Sequence, residues 1–216
     1  MGLLKRLLIR QCRRPSGWLG EYITFQMNRR HSQLTGWGLS HLSPKRDWTA
    51  LDIGCGGGKT VARLAALTPT GHVEGVDASP KSVAVSQRTN RAAIRDGHVR
   101  ITLASVSNLP FPDAGFDCAT AVETHYFWPN FVTDLQEVRR VLKPEGVLLL
   151  LAEVYRCEKF DARNQQWLHM LPMAYYSPEQ FRTFFTEAGF TDVVIDEEPN
   201  EGWLCCIGRN PGSSEA

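Results

Sequence analysis

The chain has 216 residues, a length for which one domain with a full three-layer core is the simplest expectation. Its hydrophobic content of 43% and charged content of 22% are those of an ordinary soluble globular protein. A formal net charge of +1 lacks the strongly basic balance of a dedicated nucleic-acid binder, so no nucleic-acid partner is expected.

Six cysteines stand at positions 12, 55, 118, 157, 205 and 206, with no C-x-x-C pair and no metal-ligand spacing. They read as reduced thiols of a cytoplasmic protein, and no bound metal is expected. No apolar run reaches the roughly 18 residues that span a bilayer, so stable membrane insertion is not expected. Residues 1–46 are basic, with nine Lys or Arg against one acid, Glu21. Leucines 3, 4, 7 and 8 share a helical face, with Lys5, Arg6 and Arg10 elsewhere. Such a helix caps the domain or lies weakly on a membrane surface. It lacks the long apolar stretch and small-residue cleavage site of a secretory signal. The chain therefore divides into a helical extension (1–46), one α/β domain (47–210) and a loose tail (211–216).

Trp48 to Ile53 read as a short buried strand, followed by a turn with glycines at 54, 56, 57 and 58 and a helix from Lys59 to Leu67. Glycines at 54, 56 and 58 let the backbone adopt positive φ and let a ligand lie against bare main chain. The helix behind them presents unpaired N–H groups. A phosphate-cradling P-loop needs G-x-x-x-x-G-K-[ST], but Ile53 stands where its first glycine belongs. The dinucleotide fingerprint G-x-G-x-x-G needs a third glycine at 59, where there is a lysine. The pattern that fits is D-x-G-x-G-x-G at Asp52, Gly54, Gly56 and Gly58. In these residues the sequence resembles the class I S-adenosylmethionine-dependent methyltransferases.

That resemblance implies a Rossmann-like, three-layer, doubly wound seven-stranded sheet of order 3-2-1-4-5-7-6, its last strand antiparallel. It also implies S-adenosylmethionine as cofactor, with S-adenosylhomocysteine as product. Asp52, Gly54, Cys55, Gly56 and Gly58 would wrap the amino-acid end of the cofactor. His72 to Asp77 read as the second strand, and Asp77 lies 19 residues beyond Gly58. A carboxylate there, with Ala78 beside it, would accept hydrogen bonds from ribose hydroxyls; Asp77 could equally cap the helix that Ser79-Pro80 begins. The leader resembles that of a group of small bacterial and archaeal methyltransferases, which makes Tyr22, Met27, Asn28 and His31 pocket candidates. Of these, Met27 would touch the cofactor and His31 would act in catalysis.

An amphipathic helix is predicted over 80–95 and a third strand over Val99 to Ala104. Many relatives carry an aspartate where Ser105 stands; a serine oxygen can still accept one hydrogen bond from adenine, and Val106 would flank the ring. Phe116 to Val122 read as the fourth strand, whose end lies at the switch point of a doubly wound sheet. The residues beyond it, Glu123-Thr124-His125-Tyr126-Phe127-Trp128, would form the reaction floor. Glu123 would contact the cofactor, and His125 is the first choice of general base, with Tyr126 beside it. The [DNS]-P-P-[YFW] signature of nucleic-acid amino-methyltransferases is absent, as is the paired-glutamate loop of protein arginine methyltransferases. A helix from Phe131 to Leu142 is expected to stop at Lys143-Pro144-Glu145-Gly146, ahead of a fifth strand, Val147 to Val154. Residues 155–176 read as a lid-like insertion or as packing over the sheet. A helix from Ser177 to Ala188 and a hairpin of Val193–Ile195 with Trp203–Gly208 complete the domain.

The expected function is methyl transfer to an O, N or S nucleophile of a small, partly apolar acceptor, by in-line displacement. A protein or rRNA acceptor is the alternative within the class. A nucleotide-binding module or NAD-dependent oxidoreductase is the alternative outside it, disfavoured by Lys59 and Asp52. A homodimer is compatible with the sequence.

Overall fold

A computed structural model describes residues 32–211, so Tyr22, Met27, Asn28 and His31 lie outside the described residues. The strands are β1 (Thr49–Ile53), β2 (His72–Asp77), β3 (Val99–Leu103), β4 (Phe116–Val122), β5 (Leu142–Ala152), β6 (Thr191–Glu198) and β7 (Trp203–Arg209). They form one seven-stranded sheet of order β3-β2-β1-β4-β5-β7-β6. The pairs from β3 through β5 are parallel, and β7 runs antiparallel to both β5 and β6. The order reverses between β1 and β4, where Asp52 pairs with Thr120, the kind of junction at which doubly wound sheets bind ligands.

The sheet is buried on both faces because successive side chains of a strand point to opposite sides. In β5, Leu148, Leu150 and Ala152 join one core, while Val147, Leu149 and Leu151 join the other. The first core is closed by Phe131, Leu135 and Val138 of α5 (Phe131–Val141) and Phe181 and Phe185 of α7 (Pro178–Glu187). The second is closed by α1 (Ser32–Leu39), α2 (Lys59–Leu67) and α3 (Pro80–Thr89), through Leu34, Leu39, Val61, Leu64 and Val83. Each large apolar side chain so buried contributes about 1.5–3 kcal/mol. Cys205 and Cys206 both fill core positions of β7.

Helix α1 lies directly on the sheet. A Cβ on Gly38 would come 2.3 Å from Leu151 Cδ1, so only glycine permits this approach. The start of α1 is tied to α2 by the Arg63 guanidinium, which donates to the carbonyl and hydroxyl oxygens of Ser32 at 2.6 and 2.7 Å. Its far end meets β6 and β7: His41 Nε2 lies 2.7 Å from Asp196 Oδ2, and the Trp37 and Trp203 rings are 5.8 Å apart.

The elements depart from expectation at a few places, each with a tertiary cause. The helix predicted over 80–95 breaks into α3 and α4 (Arg91–Arg95). Asn90 sits at the break, its side chain donating to the carbonyls of Gly58 and Ser86, both at 3.0 Å. Lys143–Gly146 does not end an element before β5 but is a bulge within it. The register to β4 jumps there, and Asn210 brackets it by accepting from Glu145 N and donating to the Gly146 carbonyl. The terminal hairpin is longer than predicted because β6 pairs with β7 along most of its length. The segment 155–176 holds a 3-10 turn (Glu158–Phe160) and α6 (Asp161–Leu168).

Candidate active site

At the end of β1 the chain turns sharply, because the amides of Gly54 and Cys55 both donate to the Val76 carbonyl, at 2.8 and 2.9 Å. Gly54, Gly56 and Gly58 have φ of 70°, 50° and 79°, so each meets the expected conformational demand. Their steric reasons differ from expectation. A Cβ on Gly54 would lie 2.1 Å from Thr124 Oγ1, and one on Gly58 would lie 2.4 Å from Ser86 Oγ. Those two positions are bare so that protein can pack against them. Of the three, Gly56 alone has no close neighbour among the described residues, the nearest being the Gly54 carbonyl at 3.9 Å.

Two carboxylates lie near this turn, and both act on the Cys55 thiol. Asp77 accepts from Gly56 N at 2.9 Å with one oxygen and from Ser79 N at 2.8 Å with the other. Burial raises the Asp77 pKa above the ordinary carboxylate value, against the lowering effect of the Ser79 and Gly56 amides. Asp52 is buried at the tip of β1, and its Oδ1 accepts from Thr120 Oγ1 at 2.6 Å. Burial pushes the Asp52 carboxyl up to about 7; the Thr120 bond opposes this and the charge of Asp77 adds to it. Both acids would be relieved by hydroxyl donors or by a cation. Cys55 lies between them as a buried thiol 3.7 Å from Ser86 Oγ. Burial, then Asp52 and Asp77, hold it far above the ordinary thiol range, so it packs and does not attack.

The remaining positions expected at the cofactor are dispersed along the same rim. Ala78 is exposed beyond β2. Ser105 is exposed beyond β3, its hydroxyl accepting from Ser107 N at 3.3 Å, whereas Val106 is turned inward at 8% exposure. Glu123 follows β4 with φ 57°, a left-handed conformation costly for a residue with a side chain. It is held there: its Oε1 accepts from Tyr126 Oη at 2.6 Å and from Glu153 N at 2.5 Å.

Tyr126 and His125 occupy a 3-10 turn, His125–Phe127, between β4 and α5. The Tyr126 hydroxyl is fully engaged, donating to Glu123 and accepting from Glu153 N at 3.1 Å and Val154 N at 3.0 Å. Burial and the neighbouring Glu123 push its pKa well above the usual phenol value. His125 is only 1% exposed, with its ring 4.0 Å from Tyr126, 5.2 Å from Phe181 and 6.0 Å from Phe131. Among the described residues neither ring nitrogen has a hydrogen-bond partner, and burial lowers the pKa to about 3. This placement speaks against the general-base role expected for His125, since a neutral ring enclosed by aromatic side chains reaches no acceptor proton. Tyr126 likewise stands as a strut of the floor and not as a proton-transfer group. Around the floor, Phe127, Trp128, Trp167, Tyr175 and Tyr176 are half-buried against the first core.

Several residues of the site carried no sequence signal. Thr120 and Thr124 sit in an apolar strand and in the loop after it, and their contacts to Asp52 and Gly54 arise only when β1 and β4 become neighbours. Among the described residues no group of His, Cys, Asp and Glu is arranged to hold a metal ion, and no helix is long and apolar enough to cross a membrane.

Residues 51–150, from β1 through β5, match a methyltransferase domain family. An O-methyltransferase of Pyrenophora dematioidea is 31% identical over 156 residues, 70% of this chain and 57% of that protein. The chain thus spans little more than half the length of that relative. A chain from the complex formed by the Haloferax volcanii Trm112 methyltransferase activator superposes with a TM-score of 0.80 at 20% identity, covering 91% of this chain and 96% of that one. A SAM-dependent methyltransferase from Aquifex aeolicus gives a TM-score of 0.72 at 16% identity, over 88% and 97% of the two chains. Residues 51–150 thus match a methyltransferase domain, and the D-x-G-x-G-x-G turn, the acid ending β2 and the 3-2-1-4-5-7-6 sheet are set together around its β1–β4 junction.

Proposed function

We propose that the protein transfers a methyl group from S-adenosylmethionine to a hydroxyl, amine or thiol of a small, partly apolar acceptor. The observation that carries this reading is the uncrowded, half-buried main chain at Gly56, whose amide donates to Asp77, beside the buried carboxyl of Asp52 at the β1–β4 switch point. These residues fit the cofactor on chemical grounds. Asp77 would hold ribose hydroxyls with the oxygen lone pairs left by its two amide bonds. The bare Cα of Gly56 would admit the amino-acid portion, whose ammonium would relieve the buried charge of Asp52. Ala78, Ser105 and Val106 would hold the adenine end, and the backbone at Cys55 and Glu123 would close the cradle.

When bound, S-adenosylmethionine supplies a methyl group already activated on a positively charged sulfur. The protein's contribution is then chiefly alignment of acceptor, methyl carbon and sulfur, an effect worth several kcal/mol and up to about 7–11 in ideal intramolecular cases. The acceptor rests at the tips of β4 and β5, where Phe127, Trp128, Trp167, Tyr175 and Tyr176 supply apolar surface. A hydroxyl is favoured, in line with the O-methyltransferase among the relatives. Cys205 and Cys206, adjacent and unpaired, fit the reducing environment of a cytoplasm.

Isothermal titration with S-adenosylmethionine and S-adenosylhomocysteine, beside an Asp77→Ala variant, tests the reading. Micromolar-range binding that the variant loses supports it. Binding of NAD with no response to either sulfur compound sinks it.

A further inference from the structure

β5 ends at Ala152, where its pairing to β7 stops. The next backbone groups have no strand partner and must find others. Side chains supply them from two directions. From the β4 side, Glu123 and Tyr126 accept from Glu153 N, and Tyr126 also accepts from Val154 N. From α6, Arg163 Nη2 donates to the Glu153 carbonyl at 2.8 Å, and Asn164 Nδ2 donates to the Tyr155 carbonyl at 2.9 Å. Asn164 is fully buried, and its Oδ1 accepts from Arg163 Nε at 3.1 Å.

The rest of the guanidinium reaches a third structure. Arg163 Nη1 donates to the Glu201 carbonyl in the β6–β7 turn at 3.3 Å, and the group stacks 4.4 Å from the centre of the Phe160 ring. That ring lies over Gly202, where a Cβ would come within 2.6 Å of it. The returning end of the segment is also fastened, because Ala174 N donates to the Tyr126 carbonyl at 3.1 Å.

We propose that Arg163 is a positioning residue for the acceptor, fixing the tip of β5 through Glu153 and holding residues 153–176 as a permanent wall of the acceptor pocket. The segment is then not a swinging lid. Opening it would leave the Glu153 and Tyr155 carbonyls without their donors. Lysine cannot replace the arginine, because one ammonium cannot serve three acceptors in divergent directions while stacking on Phe160. This inference rests on the reading of the β4 and β5 tips as the acceptor floor.

Hydrogen exchange of the full chain, measured for wild type, Arg163→Lys and Arg163→Gln, tests the wall. The second arm is binding of 1-naphthol, a planar phenolic probe, by tryptophan quenching, with kcat and KM where methyl transfer to it is seen. The third is titration with S-adenosylhomocysteine. The Gln variant is expected to exchange about tenfold faster over 153–176 and to bind 1-naphthol about tenfold more weakly, with cofactor affinity held within about twofold. The Lys variant should fall between them. Unchanged exchange overturns the proposal, as does an equal loss of cofactor affinity or failure of the wild type to bind 1-naphthol. A wild type that binds no S-adenosylhomocysteine overturns the functional reading instead, and the exchange result still judges the wall.

Discussion

The Thr120 hydroxyl donates a 2.6 Å hydrogen bond to Asp52 across the β1–β4 junction, and it is the one side-chain bond that favours ionisation of this buried acid. Burial nevertheless carries the Asp52 carboxyl up to about 7. An acid whose folded value exceeds its unfolded one stabilises the fold below the unfolded value and loses that contribution as pH rises through the folded one. Without cofactor, Asp52→Asn should therefore be more stable than wild type at pH 8, by roughly 1–3 kcal/mol, with the margin vanishing toward pH 4. A cationic cofactor should also expel the proton. The binding enthalpy of wild type near pH 7 should then differ between phosphate and Tris buffers, and that of Asp52→Asn should not. Equal enthalpies for wild type in the two buffers would remove the linkage.

The three loop glycines should separate under substitution. Ala at 54 or 58 meets both a positive φ and a neighbour closer than 2.5 Å, so each variant should lose about 2 kcal/mol or more of stability. Ala at 56 meets only the φ cost of about 1 kcal/mol and intrudes on the ligand side. Gly56→Ala should melt close to wild type yet bind S-adenosylhomocysteine at least about tenfold more weakly. Urea midpoints and titration check both parts. Normal binding by Gly56→Ala would mean that the cofactor does not approach there.

Much of this architecture is legible in the residues themselves. Short apolar runs punctuated by glycine and proline mark the strands, and Asp77 is identifiable as the acid closing β2 because β2 follows the glycine turn at a fixed separation. The reason for Gly54 is not legible, since Thr124 is far away in sequence and meets it only once β4 pairs with β1. The same holds for Asn90, whose partner Gly58 belongs to another helix cap. His125 carries the opposite lesson. Its position after β4 suggests chemistry, but whether a ring points into a cleft or into a core depends on Phe131 and Phe181, and neither is implied by local pattern.

His125 makes a pH prediction of the opposite sign to that of Asp52. Its folded pKa of about 3 lies below the ordinary 6.5, so between those values the unfolded chain binds a proton that the folded one does not. Stability from this group is complete above 6.5 and declines as pH falls, by about 1.4 kcal/mol per unit. His125→Phe should flatten that slope. At pH 7 it should be neutral or stabilising, because it removes two buried nitrogens without partners, each a liability of about 1–3 kcal/mol. Denaturant midpoints from pH 4 to 8 give the slope. Methyl transfer that survives the substitution would confirm a structural ring, and its abolition with an unchanged melting point would restore His125 to the reaction.

Tyr126 gives the most direct test of the floor. Its hydroxyl joins Glu123 to the Glu153 and Val154 amides, so Tyr126→Phe removes the acceptor of the Val154 N–H while Glu153 N keeps its bond to Glu123. The cost should be about 1–3 kcal/mol of stability. Released from Tyr126, the left-handed Glu123 should relax toward an ordinary backbone conformation, moving the β4 tip relative to β5. Cofactor affinity, which the proposed function assigns mainly to Gly56 and Asp77, should change little, whereas turnover on any acceptor should fall about tenfold or more through misalignment alone. Titration separates these effects from turnover. A variant that keeps full turnover would show that Glu123 needs no strut and that the floor tolerates movement.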